Sequence, residues 1–190
     1  MSLIDSIKDI DTKLFLFLNS KHNSFFDFIM FWASDKLIWI PLYLLFAFLV
    51  YKHFGKRIWL VILAALVLIL LSDQLSNHGF KNTFLRYRPC HNLTIQDKVH
   101  LNGDCGGTYG FVSSHAANTF ALAIFLGMLF YKRIKYFAIA IFIWAFFVSY
   151  SRIYNGVHYP ADIAVGAIIG MGIGIMIYKL FSFVEKKIFV

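Results

Sequence analysis

Five apolar runs constrain this chain more than any other feature in it. They cover about Leu37 to Tyr51, Ile58 to Leu71 with a polar continuation to Phe80, Ala116 to Tyr131, Tyr136 to Tyr150, and Ile163 to Phe183. A helix crosses a bilayer with roughly 17 to 25 residues. Several runs reach that length only with their flanking residues, whose aromatic rings suit the headgroup zone. Apolar residues make up 59% of the 190 positions and charged residues 15%, too apolar a balance for a water-soluble domain of this size. The expected fold is an all-α membrane protein, a single domain over residues 1–190 built as a bundle of five transmembrane helices.

The first 35 residues are treated separately. Leu14 to Leu18 and Phe25 to Ala33 are each too short to cross, and the polar stretch Asn19 to Ser24 divides them. We read an N-terminal helical hairpin in the interface, its apolar faces dipped into lipid. The alternative is one poor spanning helix, which would make six. Acidic residues near the amino terminus, and no small-residue cleavage site after them, give no sign of a signal peptide.

Basic residues set the expected orientation. Lys52, Lys56 and Arg57 share one loop, Lys132, Arg133 and Lys135 another, and Lys179, Lys186 and Lys187 the tail. With five spans all three groups fall on one side, expected to be cytoplasmic. Topology thus accounts for nine of the 18 basic residues, so the net charge of +8 is no argument for nucleic acid. The segment 81–114 then becomes an extracytoplasmic loop. Its polar stretch from Cys90 to Tyr109 carries Gly103, Gly106 and Gly107, with Gly110 just beyond, and long irregular segments of this kind are often functional lids. Cys90 and Cys105, the only cysteines, both lie in it. An oxidising compartment permits a disulfide that would staple the lid. Two free thiols, or a metal site with His91 and His100, are the alternatives, the latter without zinc-type ligand spacing.

Three polar clusters stand at the extracytoplasmic ends of apolar runs, where isolated charge is costly. In the first, Lys81 precedes Arg88-Pro89 by seven residues, two helical turns, so both would face one way if the helix continued; Asp73 and Asn77 extend that stripe inward. Arg88 offers a planar fork to phosphate oxygens and Lys81 a point charge. Asp73 reads as a buried counter-ion, and Arg86, off the stripe, as a surface charge. In the second cluster, Ser113-Ser114-His115 opens an apolar run. Serine caps helices, and a helix start also presents free N–H groups to an anion. In the third, Arg152 ends one helix and Pro160 suits the first turn of the next. His158 lies just outside that turn and Asp162 within it. A carboxylate there can accept one ring N–H and leave the other nitrogen free as a nucleophile.

Lysine, six residues, Arg-Pro; Ser-x-His; then Ser-Arg, five residues, His, three residues, Asp: this pattern from Lys81 to Asp162 resembles the three motifs of the type 2 phosphatidic acid phosphatase superfamily, which includes membrane lipid phosphatases and soluble vanadium haloperoxidases. The resemblance implies a phosphatase without metal or other cofactor, working through a phosphohistidine. By motif position, Lys81, Arg88 and Arg152 would hold the phosphate, with Ser113 and the amide of Ser114 alongside. His158 would attack, His115 would protonate the leaving oxygen, and Asp162 would orient His158. The second motif departs from the family's Pro-Ser-Gly-His, with Val112 and Ser114 replacing proline and glycine. Loss of glycine restricts a tight backbone approach to phosphate, for which the Ser114 hydroxyl offers a substitute.

Elementary chemistry points the same way. Three fixed cations neutralise charge developing on a phosphate oxygen, and attack by imidazole and then by water divides the hydrolysis into two easier steps. A bell-shaped pH profile and resistance to chelators follow, since no carboxylate cluster is available for magnesium. A site at the outer membrane face suits a lipid phosphate in the outer leaflet of a bacterial cytoplasmic membrane. Undecaprenyl diphosphate and lipid A are the favoured candidates, because the resemblance is to short bacterial enzymes; phosphatidylglycerophosphate and phosphatidic acid are the others. The rival readings are a lipid phosphotransferase with the same phosphohistidine, a vanadate-dependent oxidant, and a non-enzymatic lipid-binding protein. Gly166, Gly170 and Gly174 repeat every four residues, a small-residue stripe for close helix packing within the bundle or between copies. The oligomeric state is left open.

Overall fold

The computed structural model describes residues 3–189. Its order is α1 (Leu3–Asn19), α2 (Ser24–Ser34), α3 (Ile40–Phe54), α4 (Ile58–Gln74), a π-helical turn (Leu75–Lys81), the short α5 (Asn82–Phe84), α6 (Ser114–Phe130), α7 (Phe137–Tyr154) and α8 (Pro160–Phe189). No strand occurs among the described residues, where the one β feature is a bridge between Tyr87 and Tyr109.

The five apolar runs become α3, α4, α6, α7 and α8. Helical segments follow one another without a strand or long loop from Leu37 to Phe84, and Gly55, with φ +55°, ends α3 and separates it from α4. Large apolar side chains point outward from α3 and α4, among them Leu44, Phe48, Leu63 and Leu70, as do Ile143 of α7 and Ile168 of α8. Such a surface belongs in lipid.

By contrast, α6 is buried from Ala116 to Phe130 on nearly every side. Small residues let α8 approach it closely. A Cβ on Gly166 would lie 2.7 Å from the Ser113 carbonyl oxygen, and one on Gly170 would collide with the backbone of Ala117. A Cβ on Gly174 would meet Ala121 and Ile124. The glycine stripe is therefore a seam inside the bundle.

The three basic segments meet at one end. Arg57 pairs with Glu185 at 3.1 Å, and the Arg133 guanidinium sits 4.4 Å from the Phe54 ring centroid. The N-terminal hairpin packs at the opposite end. Fully buried Asn19 donates to the carbonyls of His100 (3.0 Å) and Tyr154 (2.8 Å) and accepts from the His100 amide (2.8 Å). Asn155 donates to Met30 O and Ser34 Oγ, at 2.9 and 2.8 Å. Residues 3–34 thus form two short helices clasped to the loop and to the end of α7.

Candidate active site

Lys81, Arg88, Ser114, His115, Arg152 and His158 all line one cavity of about 720 Å³ at the hairpin end of the bundle. The three clusters converge there because three helix ends do. Lys81 closes the π turn after α4, Ser114 and His115 open α6, and Arg152 and His158 flank the end of α7.

The π turn sets the first cluster. With i→i+5 bonding and more residues per turn than an α-helix, it keeps a four-residue spacing near one face, and Asp73, Asn77 and Lys81 form a ladder. Asn77 donates to Asp73 Oδ2 (2.9 Å), and Lys81 Nζ donates to Asn77 Oδ1 (2.6 Å). Lys81 Nζ also donates to Ser114 Oγ (2.9 Å). Asp73 is half-buried and lines the cavity, not the fully enclosed counter-ion expected.

Arg88 reaches the site by a different route from the expected one. The helix runs past Lys81 to Phe84 and stops at Leu85, which is left-handed with φ 49°, so the loop begins there and no two-turn stripe joins Lys81 to Arg88. Arg88 comes back through extended backbone. Its Nη1 donates to Cys105 O at 2.9 Å. Cys105 is itself bonded to Cys90, which takes both sulfurs out of any metal set. Burial pulls the Arg88 guanidinium below its usual range, against the pull of Asp162 and Asp104, but an arginine remains charged at neutral pH.

In the second cluster, Ser113 is the N-cap of α6. It is fully buried, its Oγ accepts from Ala116 N at 3.5 Å, and it does not line the cavity. Ser114, the next residue, faces inward instead. The His115 ring is held by a 3.3 Å hydrogen bond between Nε2 and the Ser34 carbonyl.

The third cluster is stitched to the second through backbone, as Ser113 N donates to Asp162 O at 3.0 Å. His158 is 1% exposed and Asp162 wholly buried. Asp162 Oδ2 lies 3.3 Å from His158 Nδ1 and accepts from Tyr159 N at 3.0 Å. A proton on Nδ1 leaves Nε2 with its lone pair. Burial holds this imidazole well below the usual histidine range, and the Arg88, Arg152 and Lys81 cations push it further the same way, so it is neutral. Gly110 packs against Arg88, Asp162 and His158, where a Cβ would fall 3.1 Å from Arg88 Cγ and 3.2 Å from Asp162 Oδ2.

Several participants escaped the sequence reading. Arg86 is no surface charge: it spans Asp162 Oδ1 (2.9 Å) and Asp11 Oδ2 (2.7 Å). Ser34, Asp35 and Lys36, at the end of α2, wall the cavity mouth. Asn118 lines it one turn beyond His115, inside what reads as an apolar run. Its Oδ1 and the Arg152 Nε are buried without a hydrogen-bond partner among the described residues. Away from the cavity, His22, Asp27 and His100 cluster, but the two imidazoles stack face to face at 3.7 Å with 2° between planes, so their lone pairs run parallel and do not converge on one point.

Below the polar rim the cavity turns apolar, walled by Tyr43, Phe46, Leu122, Leu126 and Val148. The whole can hold a tetrahedral anion among three cations, with a neutral imidazole on one wall, a second imidazole nearby and hydrocarbon beneath.

Comparison with known proteins matches residues 62–186 to the PAP2 superfamily. A lipid A 4'-phosphatase of Bacteroides thetaiotaomicron is 42% identical over 98% of this chain and 81% of its own. One of Porphyromonas gingivalis is 34% identical over 97% and 78%. Among solved structures, Aquifex aeolicus LpxE superposes with a TM-score of 0.64 at 25% identity, covering 88% of this chain and 94% of its own. A PAP2-type phosphatidylglycerolphosphate phosphatase from Bacillus subtilis superposes at 0.70 with 18% identity, covering 96% and 88%, a likeness of fold.

Proposed function

This chain belongs to the PAP2 superfamily and is a membrane lipid phosphatase, and we propose that it removes a phosphate from a lipid A-type substrate through a phosphohistidine on His158. The observation that carries this reading is the shared cavity. A neutral imidazole, oriented by Asp162, stands among three cations above an apolar volume.

Lys81, Arg88 and Arg152 hold the phosphate oxygens, and the Ser114 amide at the start of α6 adds an N–H donor. Ser113 acts indirectly, by capping that helix. His158 Nε2 forms a bond to phosphorus while the ester P–O bond breaks. His115 gives its proton to the leaving lipid oxygen and then takes one from water, whose attack frees phosphate and regenerates His158. Asp162 holds the Nδ1 proton and stabilises the positive charge that the ring gains.

Undecaprenyl diphosphate had equal standing on sequence grounds; the two lipid A 4'-phosphatase relatives, each matched over nearly the whole of this chain, favour lipid A. The basic end faces the cytoplasm and the cavity the outside of a bacterial inner membrane. Phosphate release from purified lipid A, undecaprenyl diphosphate, phosphatidylglycerophosphate and phosphatidic acid tests the substrate. Lipid A is expected to lead the panel, and faster release from another lipid overturns that choice. Turnover in ¹⁸O-water separates hydrolysis, which labels the phosphate, from transfer to a second lipid. Undiminished release by His158→Ala removes His158 as the nucleophile.

A further inference from the structure

We infer that Arg86 and Asp11 form a positioning clamp that aligns Asp162 behind His158, making the N-terminal helix α1 part of the catalytic apparatus. The inference rests on the reading of His158 and Asp162 given above.

Asp162 divides its two oxygens. Oδ2 serves His158 Nδ1 and the Tyr159 amide, and Oδ1 receives Arg86 Nη1 at 2.9 Å. The Asp162 side chain is wholly buried and that of Arg86 only 20% exposed. A carboxylate in such a place keeps its charge only when paired and hydrogen-bonded, and Arg86 is the cation in contact with it.

Arg86 is itself fixed from three sides. Its other terminal nitrogen donates to Asp11 Oδ2 at 2.7 Å. Its guanidinium lies 4.0 Å from the Tyr159 ring centroid, within cation–π range. Asp11 is 7% exposed, and its second oxygen accepts from Ala161 N at 2.9 Å, so it also binds the first turn of α8 beside Asp162. One carboxylate from α1 thus locks the arginine and the helix start that carries its target. Arg86 does not line the cavity, which separates it from the three phosphate-holding cations. A planar fork bridging two carboxylates is geometry that lysine reproduces only in part.

The test uses the full chain in lipid A-containing mixed micelles, with kcat, KM and inhibition by orthovanadate, a phosphate analogue. Arg86→Met is expected to lower kcat by on the order of 10- to 100-fold, as small misplacements of reacting groups do, with KM and vanadate inhibition within about threefold of wild type. Arg86→Lys should recover part of kcat. Asp11→Asn, which keeps the acceptor for Ala161 N, should lower kcat by about tenfold, and it decides the matter if Arg86→Met does not fold to a monodisperse species. Weakened vanadate inhibition in step with kcat overturns the inference, because Arg86 would then serve the phosphate cradle. So does wild-type kcat in Arg86→Met and Asp11→Asn when His158→Ala is inactive. An active His158→Ala overturns the underlying reading instead.

Discussion

Lys81 and Ser114 meet across the cavity rim, with Nζ donating to Oγ over 2.9 Å. Ser114 stands where the family's motif has glycine, and its hydroxyl also donates to Asn77 Oδ1 at 3.2 Å. The substitution has therefore added a polar link that orients the lysine.

Removing that link should be measurable. A hydrogen bond to a charged group contributes about 1.5–3 kcal/mol, so Ser114→Ala is expected to lower kcat/KM for phosphate release by about tenfold or more. Unchanged kcat/KM would show that Lys81 aligns without it.

Protonation of His158 sets the acid side of the rate profile. Its imidazole is held below the ordinary value of about 6.5 by burial and by three cations. The acid inflection of kcat/KM, after correction for the substrate's own phosphate ionisation, should thus lie below about 6.5. Stability follows the same sign. The unfolded chain takes up this proton first as pH falls, so the contribution from His158 is complete above about 6.5 and declines below it. A pH–rate series and thermal unfolding between pH 5 and 8 check both, and an inflection at or above the ordinary value contradicts the first.

Reduction should act on the site as well as on the loop. The Cys90–Cys105 bond closes a 15-residue separation, worth about 3 kcal/mol on the chain-entropy model, and the Cys105 carbonyl anchors Arg88. Treatment with a phosphine reductant is expected to lower both the melting temperature and kcat/KM. A reduced protein of undiminished activity would separate Arg88 from its anchor.

Chelators should leave turnover within about twofold, because magnesium needs oxygen ligands in number. The carboxylates on the cavity wall are Asp73, tied to Asn77, and Asp35 at the mouth. Strong loss with EDTA in intact protein, restored by a divalent ion, would replace the cation-only mechanism.

Gly170→Ala should weaken the bundle by about 1–3 kcal/mol, the usual range for overpacking, since its methyl group meets the Ala117 backbone. Gly172, against which a Cβ meets nothing within 4 Å, supplies the control. Melting temperatures of Gly170→Ala and Gly172→Ala in detergent should differ by several degrees.

The sequence made the bundle legible because lipid imposes a coarse rule, long apolar helices with basic loops on one side. The site was legible where residue type and spacing carry the chemistry, as with His158 and Asp162 four apart. Arg86 was missed because its role depends on the chain turning at Leu85, where a leucine takes a conformation its side chain disfavours. Lys81 and Arg88 were assigned to one stripe on the assumption that a helix continued. Asn118 sits among alanines and phenylalanines that hide a lone polar group, and the role of Ser34 to Lys36 depends on how the hairpin docks, which no local pattern encodes.

The seam between α6 and α8 has a consequence for divergence. His115 rides on one side of it and Asp162 on the other, and at Gly166, Gly170 and Gly174 the two backbones touch with no side chain of α8 in between. Reach between the proposed proton donor and nucleophile is thereby set by contacts that admit no gradual adjustment. The greasy walls contributed by α3 and α4 are under no such restriction. Descendants of this enzyme are free to exchange one hydrocarbon tail for another while their reaction geometry stays frozen.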